Sequence, residues 1–314
     1  MRILYKDIGV VLSVKMKVKH VLLIIILVIM LVLVLDWFQM TCWTDLTGLS
    51  SSSSSSGIGM ENLEEMNVYP KDGNIDYYVI TMKNPERLEN IEKQSDKLKT
   101  QGTPVQIQIV DGVVGVDLNL DELIEQKKLS SEYKDSRGQG NKKKREIGCY
   151  MSFLKIYDMI QEKGNSGYSV IFEDDFDIHS DHFLKEIHES IGYLKINNLD
   201  FDILYLGVQG YLGPEGNNHG ELVDKNLYEI DKKNDLYGCY GMLINNKNIG
   251  KIINHMKYIK QAIDVEFTQL CHSEKLKAYV IYPHIVNPQI GKFETTIANE
   301  NFQQLTDSFK FSHF

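Results

Sequence analysis

Tyr168-Ser169-Val170-Ile171-Phe172 runs directly into Glu173-Asp174-Asp175, with Asp177 two residues further on. A β-branched, apolar stretch that stops at adjacent acids reads as a buried strand whose C-terminal end delivers oxygen ligands to a crevice. Neighbouring carboxylates repel one another unless a cation or hydrogen-bond donors compensate, which weighs a cation site above a solvated acidic turn. Mg²⁺ or Mn²⁺ is typically held by one or two carboxylates together with substrate phosphates, so the expected ligand is a metal-chelated diphosphate.

Outward from that strand the periodicity alternates. Strand 77–81 precedes a helix from Pro85 to about Lys99, with Pro at an early helical position, and strand 105–110 ends at Asp111-Gly112. A helix from about Ile147 to Lys163 feeds strand 168–172, and Asp181 opens another with Phe183, Leu184, Ile187, Ile191 and Leu194 on one face. Strands near 203–206 and 240–244, a helix from Asn248 to about Lys260 and a strand near 278–282 complete the pattern. Strands alternating with helices predict an α/β fold with a mainly parallel sheet covered on both faces. Ligands of such sheets bind at the carboxyl ends of strands, where Asp111 and Glu173 to Asp175 fall.

The order of several short motifs resembles glycosyltransferase family 25, which includes lipooligosaccharide and collagen-type β-galactosyltransferases. The motifs are Tyr77-Tyr78-Val79-Ile80-Thr81 with Asn84-Pro85-Glu86-Arg87, then Val110-Asp111-Gly112, Glu146-Ile147-Gly148-Cys149-Tyr150-Met151-Ser152 and Glu173-Asp174-Asp175. Asp202-Ile203-Leu204-Tyr205-Leu206-Gly207, Tyr237-Gly238-Cys239-Tyr240-Gly241-Met242 and Ile263-Asp264 follow in sequence. One position departs: the family usually has His after the Ser of the Gly-Cys helix, and here it is Phe153, which also fits a core position beside Ile156 and Tyr157.

The resemblance implies an A-type glycosyltransferase fold with a Rossmann-like nucleotide-sugar-binding sheet. It also implies metal-dependent, inverting transfer of a hexose, galactose by family precedent, from a UDP-sugar to a hydroxyl of a glycan or glycoprotein. Glu173, Asp174 and Asp175 are then the ligands of Mn²⁺ or Mg²⁺, and His284 after Tyr282-Pro283 is a further candidate ligand or a structural residue. Arg87, Asp111, Gly112 and Asp174 are candidates for the donor nucleotide, because a guanidinium pairs with phosphate and a carboxylate accepts from ribose or uracil. Arg87 reads equally as an exposed cation early in a helix. Asp264 matches the family's late Asp and is the candidate general base, with Glu266 in reserve; a helix N-cap is the competing role for Asp264. Two other functions use the same features: a membrane-anchored binding or scaffold protein that kept the fold and lost turnover, and a metal-dependent phosphoesterase. The second normally needs more His and Asp ligands than this chain offers.

The 314-residue chain carries a formal charge of −9, which disfavours a nucleic-acid partner because phosphate binding needs a basic face. Its one basic run, Lys142-Lys143-Lys144-Arg145, reads as a solvated loop or as a flap over a phosphorylated ligand. Val21 to Leu35 is an uninterrupted apolar run, preceded by Arg2, Lys6, Lys15, Lys17 and Lys19 and followed by Asp36 and Asp45. Residues 1–17 then read as a cytoplasmic tail, 18–38 as a transmembrane signal anchor and 39–66 as a Ser-rich stem. Residues 67–314 read as the catalytic domain, on the lumenal or exterior side as in a type II membrane protein. Cys149, Cys239 and Cys271 fall in apolar or helical contexts and are expected as packed thiols.

Overall fold

The computed structural model describes residues 75–101, 105–134, 140–209, 221–230 and 235–289. The expected tail, anchor and stem all lie outside these residues. Among the described residues no helix is long and apolar enough to cross a membrane.

The chain begins with strand β1 (Ile75–Thr81), helix α1 (Pro85–Lys99) and strand β2 (Ile107–Asp111). A 3₁₀ turn (Gly115–Asp117), α2 (Leu120–Glu125) and β3 (Leu129–Lys134) lead to the long α3 (Asn141–Lys163). Next come β4 (Tyr168–Glu173), β5 (Phe176–Ile178), α4 (Phe183–Ile196) and β6 (Ile203–Gln209). Then follow β7 (Glu221–Asp224), β8 (Leu227–Glu229), β9 (Tyr237–Asn245), α5 (Ile249–Met256) and β10 (Ile259–Gln261). The last elements are α6 (Ile263–His272), β11 (Ala278–Ile281) and β12 (Val286–Pro288).

Eight strands form one sheet in the order β2-β1-β4-β9-β6-β11-β8-β7. Strands β1, β2, β4, β6 and β11 run the same way, but β9 lies antiparallel between β4 and β6, and β8 antiparallel beside β11. The expected mainly parallel sheet is therefore a mixed one. Strand β6 stops at Gln209 and β9 starts beside it at Tyr237, so the chain re-enters the sheet at the end where β6 left it and β9 runs back along β6.

Helices cover both faces, as the alternating pattern predicted. Along β1, Tyr77 and Val79 pack with Ile91 and Leu98 of α1 and Phe183, Ile187 and Ile191 of α4, whereas Tyr78 packs with Ile147, Ile156 and Phe267 of α3 and α6. This is the period-two alternation of a strand buried on both sides. Phe153 is fully buried on the α3 side, 6.3 Å from the Tyr157 ring, so it serves as core. Cys239 and Cys271 are buried free thiols, and burial raises both pKa values, consistent with packed and unreactive sulfur. Lys142 to Arg145 form the first turns of α3 and not a loop; Lys143 lies over the Tyr133 ring at 5.2 Å, and Lys144 Nζ donates to the Val116 carbonyl at 3.2 Å.

Candidate functional site

The carboxyl ends of β1, β2, β4 and β6 and the first residues of β9 share one rim of the sheet. Strand β4 delivers Glu173 there, and the chain turns through Asp174 and Asp175 into β5. Helix α1 holds this turn with a polar stripe. Asn90 Nδ2 donates to the Asp174 and Phe176 carbonyls at 3.2 and 2.9 Å, Gln94 Nε2 donates to Asp177 at 2.7 Å, and Lys97 Nζ donates to the Ile178 carbonyl at 2.7 Å. Asn90 and Gln94 are buried, so their partners are needed to offset lost hydration. Gln289 closes the other side, donating its backbone N–H to the Asp175 carbonyl at 2.8 Å.

Arg87 stands at the head of that stripe. Its guanidinium pairs with Asp174 and lies 3.4 Å from Asp175, with the Arg87 side chain only 11% exposed. It is not an exposed cation; it neutralises the acidic turn.

One guanidinium faces several acids. Burial first, then the charges of Asp175, Asp174 and Asp264, push the Glu173 carboxyl up to about 8. Burial also raises Asp175, with Arg87 working against it. The Oδ1 of Asp175 is buried without a hydrogen-bond partner. Surplus negative charge and an orphaned carboxylate oxygen both favour an added cation. Among the described residues no three or more His, Cys, Asp or Glu side chains converge to hold a metal. A hard cation that takes its remaining oxygens from a diphosphate and water needs only one or two protein carboxylates, so the acidic turn still fits one.

Asp264 is the second residue of α6, whose N-cap position is Ala262, so the N-cap role is excluded. Its Oδ1 accepts the Val265 N–H at 2.9 Å and its Oδ2 the Gly238 N–H at 3.1 Å. The next N–H along β9, from Cys239, goes to Glu173. Consecutive backbone donors at the start of β9 are thus divided between the strand acid and the helix acid. Gly238 has φ +74°, in the left-handed region that a Cβ disfavours, and so departs from strand geometry at the residue where the donors part. One turn along α6, the Thr268 hydroxyl accepts the Leu236 N–H and donates to the Leu236 carbonyl, each at 3.0 Å. Asp264 and Thr268 together clamp residues 236–238 against the rim.

Glu266 points elsewhere. It is buried 3.5 Å from Lys260 Nζ, and its charge acts on Tyr150 of α3. His284 packs edge-on against Tyr282 at 5.4 Å, and burial pushes its imidazole down to about 4, which keeps it neutral at pH 7.

Asp111 is exposed at the end of β2, 2.7 Å from Lys83 Nζ, and that hydrogen bond holds its carboxyl below the usual range. Gly112 donates its N–H to the Thr81 carbonyl at 2.9 Å, tying the end of β2 to the end of β1. The loop beyond is fastened to α3: Ser152 Oγ accepts the Val113 N–H at 2.8 Å and donates to the Gly148 carbonyl at 2.7 Å. A Cβ on Gly148 would lie 2.7 Å from both the Gly115 Cα and the Val113 carbonyl oxygen, so glycine permits this backbone contact. The Gly and Ser of the Gly-Cys helix therefore position the Asp111 loop.

A family model described as Glycosyltransferase family 25 (LPS biosynthesis protein) matches residues 74–268. Procollagen galactosyltransferase 1-A of Xenopus laevis is 25% identical over 246 residues, which are 70% of this chain and 39% of that protein. The chain thus spans about two-fifths of that relative's length. Among solved structures, apo UDP-glucose pyrophosphorylase aligns with 66% of this chain and 90% of its own at 11% identity and a TM-score of 0.34. The UDP-glucose complex of UDP-glucose pyrophosphorylase gives 10% and 0.35 over the same shares.

Proposed function

Because the chain belongs to glycosyltransferase family 25, we propose that it is an inverting glycosyltransferase with an A-type fold. It moves a hexose, galactose in the first instance, from a UDP-sugar to a hydroxyl of a glycan or glycoprotein. The observation that carries this reading is the pairing of Glu173 and Asp264 across the start of β9, which sets a strand-end acid cluster beside a separate helix carboxylate. Departure of a nucleoside diphosphate needs its charge neutralised, and inversion needs a carboxylate on the acceptor side.

In this reading Asp175 and Glu173 hold a Mn²⁺ or Mg²⁺ ion, with Asp174 kept in place by Arg87. The bound ion would neutralise the diphosphate of the donor and stabilise it as a leaving group. Asp264 takes the proton of the acceptor hydroxyl. The Val265 and Gly238 N–H groups fix its orientation, and each carboxylate oxygen retains lone-pair capacity for a second partner. Asp111 and Gly112, on the loop latched by Ser152, face the nucleotide end of the donor. The segment 18–38 anchors the protein as type II, with the catalytic domain lumenal or exterior.

The test is a panel of UDP-sugars incubated with the full chain in detergent and Mn²⁺, scored for released UDP with and without glycan acceptors. One sugar released faster with acceptor is the expected result. No release from any of them would point to a binding protein. In sealed vesicles of native orientation, external protease should spare the domain; full digestion would reverse the topology.

A further inference from the structure

On the α3 side, away from the acidic turn, the junctions α2–β3 and α5–β10 enclose an open recess of about 680 Å³. Lys127, Lys128 and Lys257 surround it over an apolar floor of Ile124 and Leu129, with Tyr258 at 40% exposure along one wall. No carboxylate lines it. Among the described residues none of the three ammonium groups has a carboxylate within ion-pairing distance, in a chain whose net charge is −9. The walls are tied together through the backbone: Lys127 and Lys128 donate N–H groups to the Ile124 and Leu123 carbonyls at 3.0 and 2.9 Å. The Lys128 carbonyl accepts the Ile259 N–H at 2.9 Å. A volume of this size with apolar and aromatic lining and a few convergent charges suits a small polar ligand.

We propose that this recess is a subsite for an anionic sugar, a phosphorylated or carboxylated residue of the acceptor glycan, an assignment that rests on the glycosyltransferase reading above. The lysines meet the phosphate or carboxylate, and the Tyr258 ring meets the apolar face of the sugar. The position supports the link to the acceptor. β3 and β10 are parallel, with Leu129 beside Ile259 at their start and Lys134 beside Gln261 at their end. The recess lies at the start of this ribbon, and Asp264 follows three residues beyond its end. Asp264 is six positions after Tyr258, a span of at most ~22 Å. That separation is within the length of an acceptor a few sugars long.

The experiment uses the full chain in detergent, with UDP present to block the donor site. Binding of glucose 6-phosphate, glucuronic acid, glucose and inorganic phosphate is followed by saturation-transfer NMR and calorimetry. The two anionic sugars should bind about tenfold more tightly than glucose or inorganic phosphate, and more weakly as salt rises. The double variant Lys127→Gln/Lys128→Gln and, independently, Lys257→Gln should each lose that preference while melting at the wild-type temperature. Equal binding of glucose, equal binding of inorganic phosphate, or unchanged binding in both variants would overturn the assignment. UDP-sugar hydrolysis, measured on the same preparations without added UDP, separates the two readings. Binding without hydrolysis removes the transferase, and hydrolysis without binding removes the subsite.

Discussion

Asp264 accepts the backbone N–H of Gly238 at 3.1 Å, which joins the first turn of α6 to the first residues of β9. The same carboxylate charge reaches Glu173, so one side chain both braces the rim and borders the acid cluster. Asp264→Asn separates these roles. An amide keeps an oxygen for one N–H but is no base, so kcat should fall by ~100-fold or more with donor affinity little changed. The amide nitrogen replaces one accepting oxygen and meets an N–H donor, so melting should drop by the equivalent of about 1–3 kcal/mol. A variant that is destabilised yet active would leave Asp264 as a brace alone.

Asp175→Asn tests the cation. The orphaned Oδ1 and the raised pKa of Asp175 place the surplus charge at this residue. Neutralising it should abolish the stimulation of turnover by Mn²⁺ while the far-ultraviolet dichroism stays native. Full wild-type activity in EDTA would count against any metal at this turn.

Arg87→Ala should be among the most destabilising single changes at the rim. Both members of the Arg87–Asp174 pair are about one-tenth exposed, and removing the cation leaves an uncompensated carboxylate. A loss of about 3 kcal/mol is expected in urea unfolding. Added Mn²⁺ should recover part of it, because the ion replaces the missing positive charge.

The pH dependence follows from Glu173. Its carboxyl titrates near 4.5 in the unfolded chain and near 8 in the folded one. Between those values the folded state holds the extra proton, so metal-free stability should fall as pH rises from about 4.5 to 8 and level off above. Glu173→Gln should flatten that slope in melts carried out in EDTA.

Gly148→Ala tests the latch of the Asp111 loop. The new methyl would meet the Val113 carbonyl and the Gly115 Cα at 2.7 Å, and backbone cannot yield as a flexible side chain can. Destabilisation of about 1–3 kcal/mol is expected, with a raised KM for the donor and an unchanged acceptor KM.

Much of this architecture is legible in the residues before any fold is seen. Helix Pro85–Lys99 is bounded as expected because Asn84 caps it, accepting the Glu86 N–H at 3.0 Å, and Pro85 occupies its first turn. Strand Tyr168–Glu173 is plain because it is buried on both sides. The direction of β9 is not legible, since an apolar run reads alike in either sense and only the chain's route decides it. Short β3, β5, β10 and β12 escape notice because three to six residues give too little period to count. At the site, the acids and Asp264 are marked by residue type, whereas the role of Arg87 is not. Whether a guanidinium meets phosphate or carboxylate depends on a turn 87 residues away. The spacing of Arg87, Asn90, Gln94 and Lys97 was the available signal, a polar stripe on a helix face where apolar residues usually pack.

The antiparallel β9 has a consequence for how the protein is made. Strand β6 pairs only with β9 and β11, and the inner edge of β4 pairs only with β9, so all of these partners emerge later than β6 itself. On a ribosome adding ~5–20 residues per second, two apolar strand edges remain open for a few seconds, from the appearance of Gln209 until Asn245 follows. A nascent chain stalled in that interval presents these two edges, and the β11 edge of β6 as a third, to any neighbouring nascent chain that can pair with them. The excursion through β7 and β8 sets the length of that exposure, and with it the dependence of the yield of folded protein on chaperones that shield strand edges.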